Sequence, residues 1–386
     1  MKNKTGYRGT YIAILLGMLL CAGIFFLMQR KADFATGELV ENKSRLRVGV
    51  LLNGGKDGNG WNKSHMDGFD AAAKELGLEI ICRENVTDEK VYVIAKELVA
   101  QDCHQIFACS SGFGSGIRRA AAEHRGRAFF HLAGESSDEN ISTLFARMYQ
   151  VRYLAGMAAA LQSRTNHLGF VGAWPVPEVL RNANAFALGA RSVNPDAVVH
   201  VRWTEGWNKP ERERELAAEL VEKYNVDVLT CHQNGTTVDE VAAEKGIWSI
   251  GFHYDNMAKF PNSMLTAAVW NWRDIYISEI RECLEGKFVP SEKWVNVTAQ
   301  EDSAVKLLPL NRRIARPEIE KRMEPVLKRM ADMEWDVFYG PVRDQQGRLR
   351  VAEGENVMDV TLLARMDWLV EGIEGQPWVR GDKNAK

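Results

Sequence analysis

Short apolar runs alternate with longer segments of helical period along most of this chain. LRVGVLL at 46–52 is almost wholly apolar, as a strand covered on both faces is. A glycine-rich turn follows, then MDGFDAAAKELG with apolar positions at helical spacing. LEIIC with DEKVYVIAKELVAQ, and QIFACS with GIRRAAAEH, repeat the strand–helix unit, and RAFFHL supplies a fourth strand. This alternation predicts a parallel sheet with helices on both faces.

A longer helix, YQVRYLAGMAAALQSRT, carries small residues along one side and starts a second set. HLGFVGA, AVVHVRW, VDVLTC and IWSIGF read as its strands. Helices over 178–192, 209–224 and 238–246 lie between them, and the charges of the second form a solvated face. The expected fold class is therefore α/β, with lobes at 46–147 and 148–270. Residues 271–386 are expected to return across a hinge and pack on both lobes. In that portion RDIYISEIRECLEG and PEIEKRMEPVLKRMADME read as helices. KWVNVTA reads as a strand, and WDVFYGPVRDQQGRLRV as two strands around a polar turn.

The amino terminus departs from this alternation. Lys2, Lys4 and Arg8 precede an uncharged stretch whose apolar part, 11–28, is just long enough to span hydrocarbon as a helix. The charge asymmetry keeps the terminus cytoplasmic and exports the rest of the chain. Residues 1–31 read as an uncleaved signal anchor, with lipidation at Cys21 or simple cleavage as alternatives. The exit FFLMQRK lacks the small residues a cleavage site wants, and Leu19 and Leu20 precede Cys21 where a lipid-attachment signal has small residues. Residues 32–45, polar and without periodicity, read as a tether between membrane and folded body.

The 386 residues carry 49 basic and 51 acidic side chains, a net charge of −2, so no basic field gathers nucleic acid. Of six cysteines one lies in the apolar terminus. The remaining five cannot all pair within a chain and read as buried free thiols, with a disulfide left open. No metal-ligand spacing occurs among His and Cys.

Ligands of open α/β sheets bind beyond the carboxyl ends of the strands. Those loops here mix rings with amides and carboxylates: residues 53–65 with Trp61 and Asn62; Ser110-Ser111 with Phe113; Trp174 with Glu178; His232-Gln233-Asn234; His253 with Asp255; and Trp270. Flat rings suit a flat ligand, at about 1–3 kcal/mol per stacked base. Each aromatic taken singly is also a core residue, and Trp203 and Trp248, inside strands, are read as core. His65, His232 and His253 are either ligand contacts or satisfied polar residues. No cluster of Lys and Arg converges as a phosphate requires. Gly112, Gly114 and Gly116 are spaced GxGxG rather than as a dinucleotide fingerprint, and no P-loop, GxSxG or HExxH is present. No catalytic residue, cofactor or metal is expected.

With these residues in view the chain resembles the basic membrane protein (PnrA-like) family, substrate-binding lipoproteins of ABC importers for purine nucleosides and related compounds. GNGWNKSHMDGFDAA, RYLAGMAAAL, GAWPVPEVLRNANAFALGARSVNPDA, VRWTEGWNKPERERELA, GFHYDN, WDVFYGP and MDWLVEGIEG carry the resemblance in order. It implies a two-lobed type I periplasmic-binding-protein fold and a monomer. It also implies a purine ligand in the cleft and a permease partner in the membrane. Trp61 would stack on the purine, Asn62 would hydrogen-bond base or sugar, and Phe113 would contact the other side. Trp174 and Glu178 would come from the second lobe, and Asp255 would meet base or ribose. Trp270 stands where many nucleoside binders have a late lysine, and Trp61 where phenylalanine is common. Both resemble a branch associated with free bases such as adenine. The rival function is a membrane-anchored ligand sensor with the same fold; a nucleoside-processing enzyme lacks the residues it needs.

Overall fold

The computed structural model describes residues 46–57 and 60–378; the anchor or signal segment, the tether and Cys21 lie outside the described residues. Among those described, no helix is long and apolar enough to cross a membrane. Cys82, Cys103, Cys109, Cys231 and Cys283 are free thiols.

The first lobe is built from β1 (Arg47–Leu52), α1 (Trp61–Leu76), β2 (Glu79–Arg83), α2 (Val91–Ala100), β3 (Gln105–Cys109), α3 (Gly114–Glu123), β4 (Ala128–Leu132) and β5 (Ile141–Ala146). Its strands are parallel in the order β5-β4-β3-β1-β2. β3, β4 and β5 are buried at every position, as helices on both faces require. The apolar pattern of the chain predicts no strand over β5, because Ser142 and Thr143 interrupt its apolar run. Both are buried, and the Ser142 hydroxyl accepts from Ser291 N–H at 3.1 Å.

The second lobe repeats the plan with α4 (Met148–Gln162), β6 (His167–Gly172), α5 (Pro177–Val193), β7 (Val198–Trp203), α6 (Pro210–Tyr224), β8 (Val228–His232), α7 (Thr237–Lys245), β9 (Trp248–His253) and β10 (Met264–Trp270). Its parallel strands run β10-β9-β8-β6-β7, the same order as in the first lobe. In each sheet the chain leaves the first strand in one direction and the third in the other, so a crevice opens at their carboxyl ends.

The remaining chain crosses between the lobes. α8 (Arg273–Leu284) leaves the end of β10 and packs on α1, with Tyr276 stacked on Phe69 at 4.0 Å. β11 (Glu292–Val295) extends the first sheet beside β5, and β12 (Val305–Leu307) joins the second sheet antiparallel to β10. α9 (Glu318–Ala331) packs on α4. A hairpin of β13 (Val342–Arg343) and β14 (Leu349–Val351) comes next, and β15 (Ile373–Glu374) edges β7. The three crossovers lie side by side. Arg147 N–H donates to Val295 O at 2.8 Å, and Asn271 N–H to Ala304 O at 2.8 Å. Side chains reinforce them: Arg147 holds Asp359 with two bonds of 2.9 and 2.6 Å, and Tyr149 OH donates to Asp336 at 2.6 Å.

The small-residue side of α4 has its physical reason in α5. A Cβ on Gly156 would overlap the Phe186 carbonyl oxygen, and one on Gly189 would overlap that of Tyr153. The two helices meet backbone to backbone, and neither tolerates a side chain at its contact point. Gly156→Leu is expected to lower the midpoint of thermal unfolding by about 5 °C or more. Gly126→Leu, on an open surface where a Cβ meets nothing, should leave it nearly unchanged. Differential scanning calorimetry of the two variants checks this.

Candidate functional site

The crevices of the two sheets face each other across one cavity. Asn53 follows β1, Ser110 and Ser111 follow β3, and Ala133 follows β4. From the other lobe come His232 at the end of β8 and Asn234 beyond it, His253 at the end of β9, Trp207 after β7, and Glu178 in the first turn of α5. Trp61, the first residue of α1, completes the lining. The empty volume is about 470 Å³, part of it open to solvent, which is the size of a small-molecule pocket. Among the described lining residues there is no lysine or arginine.

Trp61 is 8% exposed. Its Nε1 donates to Cys109 O at 2.9 Å, which fixes the ring against the end of β3. The ring stands edge-on to His65 at 4.2 Å, Trp270 at 5.3 Å and Trp272 at 5.8 Å. Trp207 is the opposite case, 38% exposed at the cavity. Its loop is fixed from beneath. Asn234 N–H donates to Trp207 O at 3.0 Å, Gln233 Nε2 to Thr204 Oγ1 at 2.7 Å, and Thr204 Oγ1 to Gly206 O at 2.7 Å.

The lobes touch at Gly60, which precedes α1 with φ of 69°. A Cβ there would lie 2.8 Å from Asn234 O and 3.2 Å from His253 Cδ2. Glycine is thus required twice, for the left-handed backbone and for the close approach. His253 and Ala133 also hold positive φ, 68° and 57°. For a side chain as large as histidine this costs about 1 kcal/mol or more and marks a site whose surroundings over-determine it.

The imidazoles at the site are neutral at physiological pH. Burial, with the Arg152 guanidinium nearby, pushes His253 down to about 3. Burial, then His253 and Arg152, holds His232 well below the usual range, and burial does the same to His65. Arg152 itself is fully buried, with its guanidinium 4.9 Å from the Phe252 ring centre and Nη1 donating to Thr230 Oγ1 at 3.1 Å. Glu178 Oε1 lies 3.8 Å from His232 Nε2. Burial raises its carboxyl above the usual carboxylate range, opposed by Arg181.

The seven residues singled out in the sequence separate into three groups. Trp61 and Glu178 line the cavity. Trp270 and Asn62 are buried behind it. Trp270 Nε1 donates to His253 Nδ1 at 2.8 Å, and Asn62 Oδ1 meets no donor among the described residues. Phe113, Trp174 and Asp255 are elsewhere. A short turn of helix at Ser111–Phe113 swings Phe113 into the apolar core under α2 and α3, leaving Ser110 and Ser111 at the cavity. Trp174 is half-buried outside the lining. Asp255 is exposed and caps its own turn, accepting from Met257 N–H at 2.9 Å. Trp207 and Ala133 carry no signal of their own in the sequence. Trp207 sits beside a charged helix start and groups with it, and a lone alanine has no chemistry to single it out.

Residues 45–311 match the family model described as ABC transporter substrate-binding protein, PnrA-like. A purine-binding protein of Brucella abortus is 30% identical over 346 residues, 89% of this chain and 97% of that protein. A putative ABC transporter glucose-binding protein of Haloferax volcanii is 28% identical over 319 residues, 82% of this chain and 77% of that protein. The solved ABC transporter solute-binding protein of Conexibacter woesei superposes with a TM-score of 0.64 at 18% identity, over 75% of this chain and 98% of that one. That likeness shows the fold, the two-lobed type I periplasmic-binding-protein architecture. The family is one of substrate-binding proteins rather than enzymes. With the matched model covering both lobes and the crossovers between them, the chain belongs to the PnrA-like family of ABC transporter substrate-binding proteins.

Proposed function

We propose that this protein binds an uncharged purine, as the free base in preference to the nucleoside, outside the cytoplasm and delivers it to an ABC permease. The observation that carries the reading is the chemistry of the cavity. Its lining is made of tryptophan rings, neutral imidazoles, amides and hydroxyls, with one carboxyl group, Glu178. Rings bind a flat heterocycle by stacking, and amides and imidazoles pair with its ring nitrogens and exocyclic groups. A phosphate would find no lysine or arginine on the described lining. The purine-binding relative, alignable along nearly its whole length, supports the same reading. The apolar segment at 11–28 would serve as an uncleaved anchor holding the lobes beside the permease. In this reading the molecule acts as a monomer, and closing of the lobes over the ligand is what the permease recognises.

The contacts are assigned from the cavity. Trp207 offers the open ring face and Trp61 the opposite, fixed wall. Glu178 and Asn234 face the polar edge of the base, and Asn62 supports the start of α1.

Titration calorimetry of the full chain with adenine, guanine and hypoxanthine, their nucleosides, AMP and glucose tests the proposal. A purine base is expected to bind at micromolar strength or tighter, about −8 kcal/mol or below, with AMP and glucose silent. Tight glucose binding with no purine binding overturns it. Trp207→Ala should weaken the preferred purine about tenfold by loss of one stacking face, while Asp255→Ala leaves the affinity within twofold, both by the same titration. Gly60→Val drives a side chain into Asn234 and His253. It should weaken binding at least tenfold while the unliganded lobes still unfold cooperatively in a thermal melt.

A further inference from the structure

We infer that Trp270 is a positioning residue which locks His253 in one tautomer, so that the cleft recognises its ligand through a lone-pair acceptor. The inference rests on the purine reading for its ligand class and on geometry for the lock itself.

An indole N–H can only donate. Trp270 Nε1 lies 2.8 Å from His253 Nδ1, so that nitrogen must present its lone pair. The doubly protonated ring is excluded by the same contact, because it has a donor at both nitrogens. The single ring proton therefore sits on Nε2. Among the described residues no acceptor takes it, and His253 lines the cavity. The lock is rigid at both ends. The Trp270 ring is stacked on Trp272 at 4.9 Å and 12°, meets Trp61 edge-on at 5.3 Å, and is 6% exposed. His253 is held by its left-handed backbone and by the Phe252 ring 3.8 Å away. A histidine free to exchange tautomers accepts or donates as the ligand demands; this one only donates. The matching atom on a purine is an unprotonated ring nitrogen or an oxo group. Trp270 thus acts on the ligand through His253 and does not touch it, since Trp270 is absent from the cavity lining.

The test uses the full chain labelled with ¹⁵N. Long-range proton–nitrogen spectra of the imidazoles report which nitrogen carries the proton, and His253→Asn identifies the signal. The unsubstituted protein should show a protonated Nε2 and a bare Nδ1. Trp270→Phe keeps a ring in the stack and removes the N–H. It should give averaged tautomers, with the preferred purine bound about tenfold more weakly. The deaza analogues that replace each unprotonated ring nitrogen of that purine by carbon, together with the analogue lacking its oxo group if it has one, each delete one acceptor. One of them should bind the unsubstituted protein at least tenfold more weakly, as happens when a built donor loses its partner. That discrimination should fall below threefold in Trp270→Phe. A proton on Nδ1 in the unsubstituted protein overturns the lock. So does a Trp270→Phe protein that melts as a folded unit yet keeps both the tautomer and the discrimination. If no purine binds the unsubstituted protein, the functional reading fails, while the ring-nitrogen spectra still decide the lock.

Discussion

A continuous stack of rings joins the strand ends of the second lobe to the helices of the first, and the cleft takes its shape from it. Trp270, at the end of β10, lies nearly parallel to Trp272 at 4.9 Å; Trp272 continues to Tyr276 at 5.9 Å, and Tyr276 to Phe69 at 4.0 Å. Trp61 stands perpendicular to this row and closes one wall of the cavity. Ring pairs of these geometries contribute about 0.5–1.5 kcal/mol each beyond the area they bury. Their more important effect is orientation. The row passes through a crossover, so the face that α8 turns to α1 and the face that β10 turns to His253 are fixed together.

Behind the cavity the protein carries charge that it does not display. Arg152 is enclosed by the rings of Phe170, Phe186 and Phe252 in the core of the second lobe. Its Nε and Nη2 find no partner among the described residues. A buried cation of this kind disfavours a second positive charge nearby. It thereby works with burial to keep His232 and His253 neutral. The cleft surface therefore offers donors and acceptors of fixed kind without net positive charge, which suits an uncharged heterocycle.

Much of the fold was legible because its signal is periodic. The eight apolar runs of the two lobes reappear as strands within about two residues. The helices between them reappear too, although α1 starts at Trp61, ahead of the apolar span that predicted it; the small residues seen on one side of α4 meet α5. β5 was illegible because buried hydroxyls look polar in a sequence while their partners, here Ser291 N–H, lie far along the chain. The site was legible to the level of the loop. The rule that ligands meet strand ends pointed to the loops holding Ser110, His232, Asn234 and His253. It did not say which side chain in each loop turns toward the cavity. Phe113 shows the difference, since three residues of tight helix reverse its direction. Trp207 was hidden for a related reason: its exposure depends on bonds from Asn234 and Gln233 that spacing does not encode.

The three crossovers are hydrogen-bonded edge to edge, the first to the third through Arg147 and Val295, the third to the second through Ala304 and Asn271. A single connecting strand would leave two bodies free to swivel and slide. Three segments side by side, tied to one another at two points, oppose sliding and twisting more than bending across their width. In the reading proposed above, lobes joined in this way would move chiefly along one soft coordinate, a jaw opening and shutting about the crossovers. Its stroke would then end where Gly60 meets Asn234 and His253.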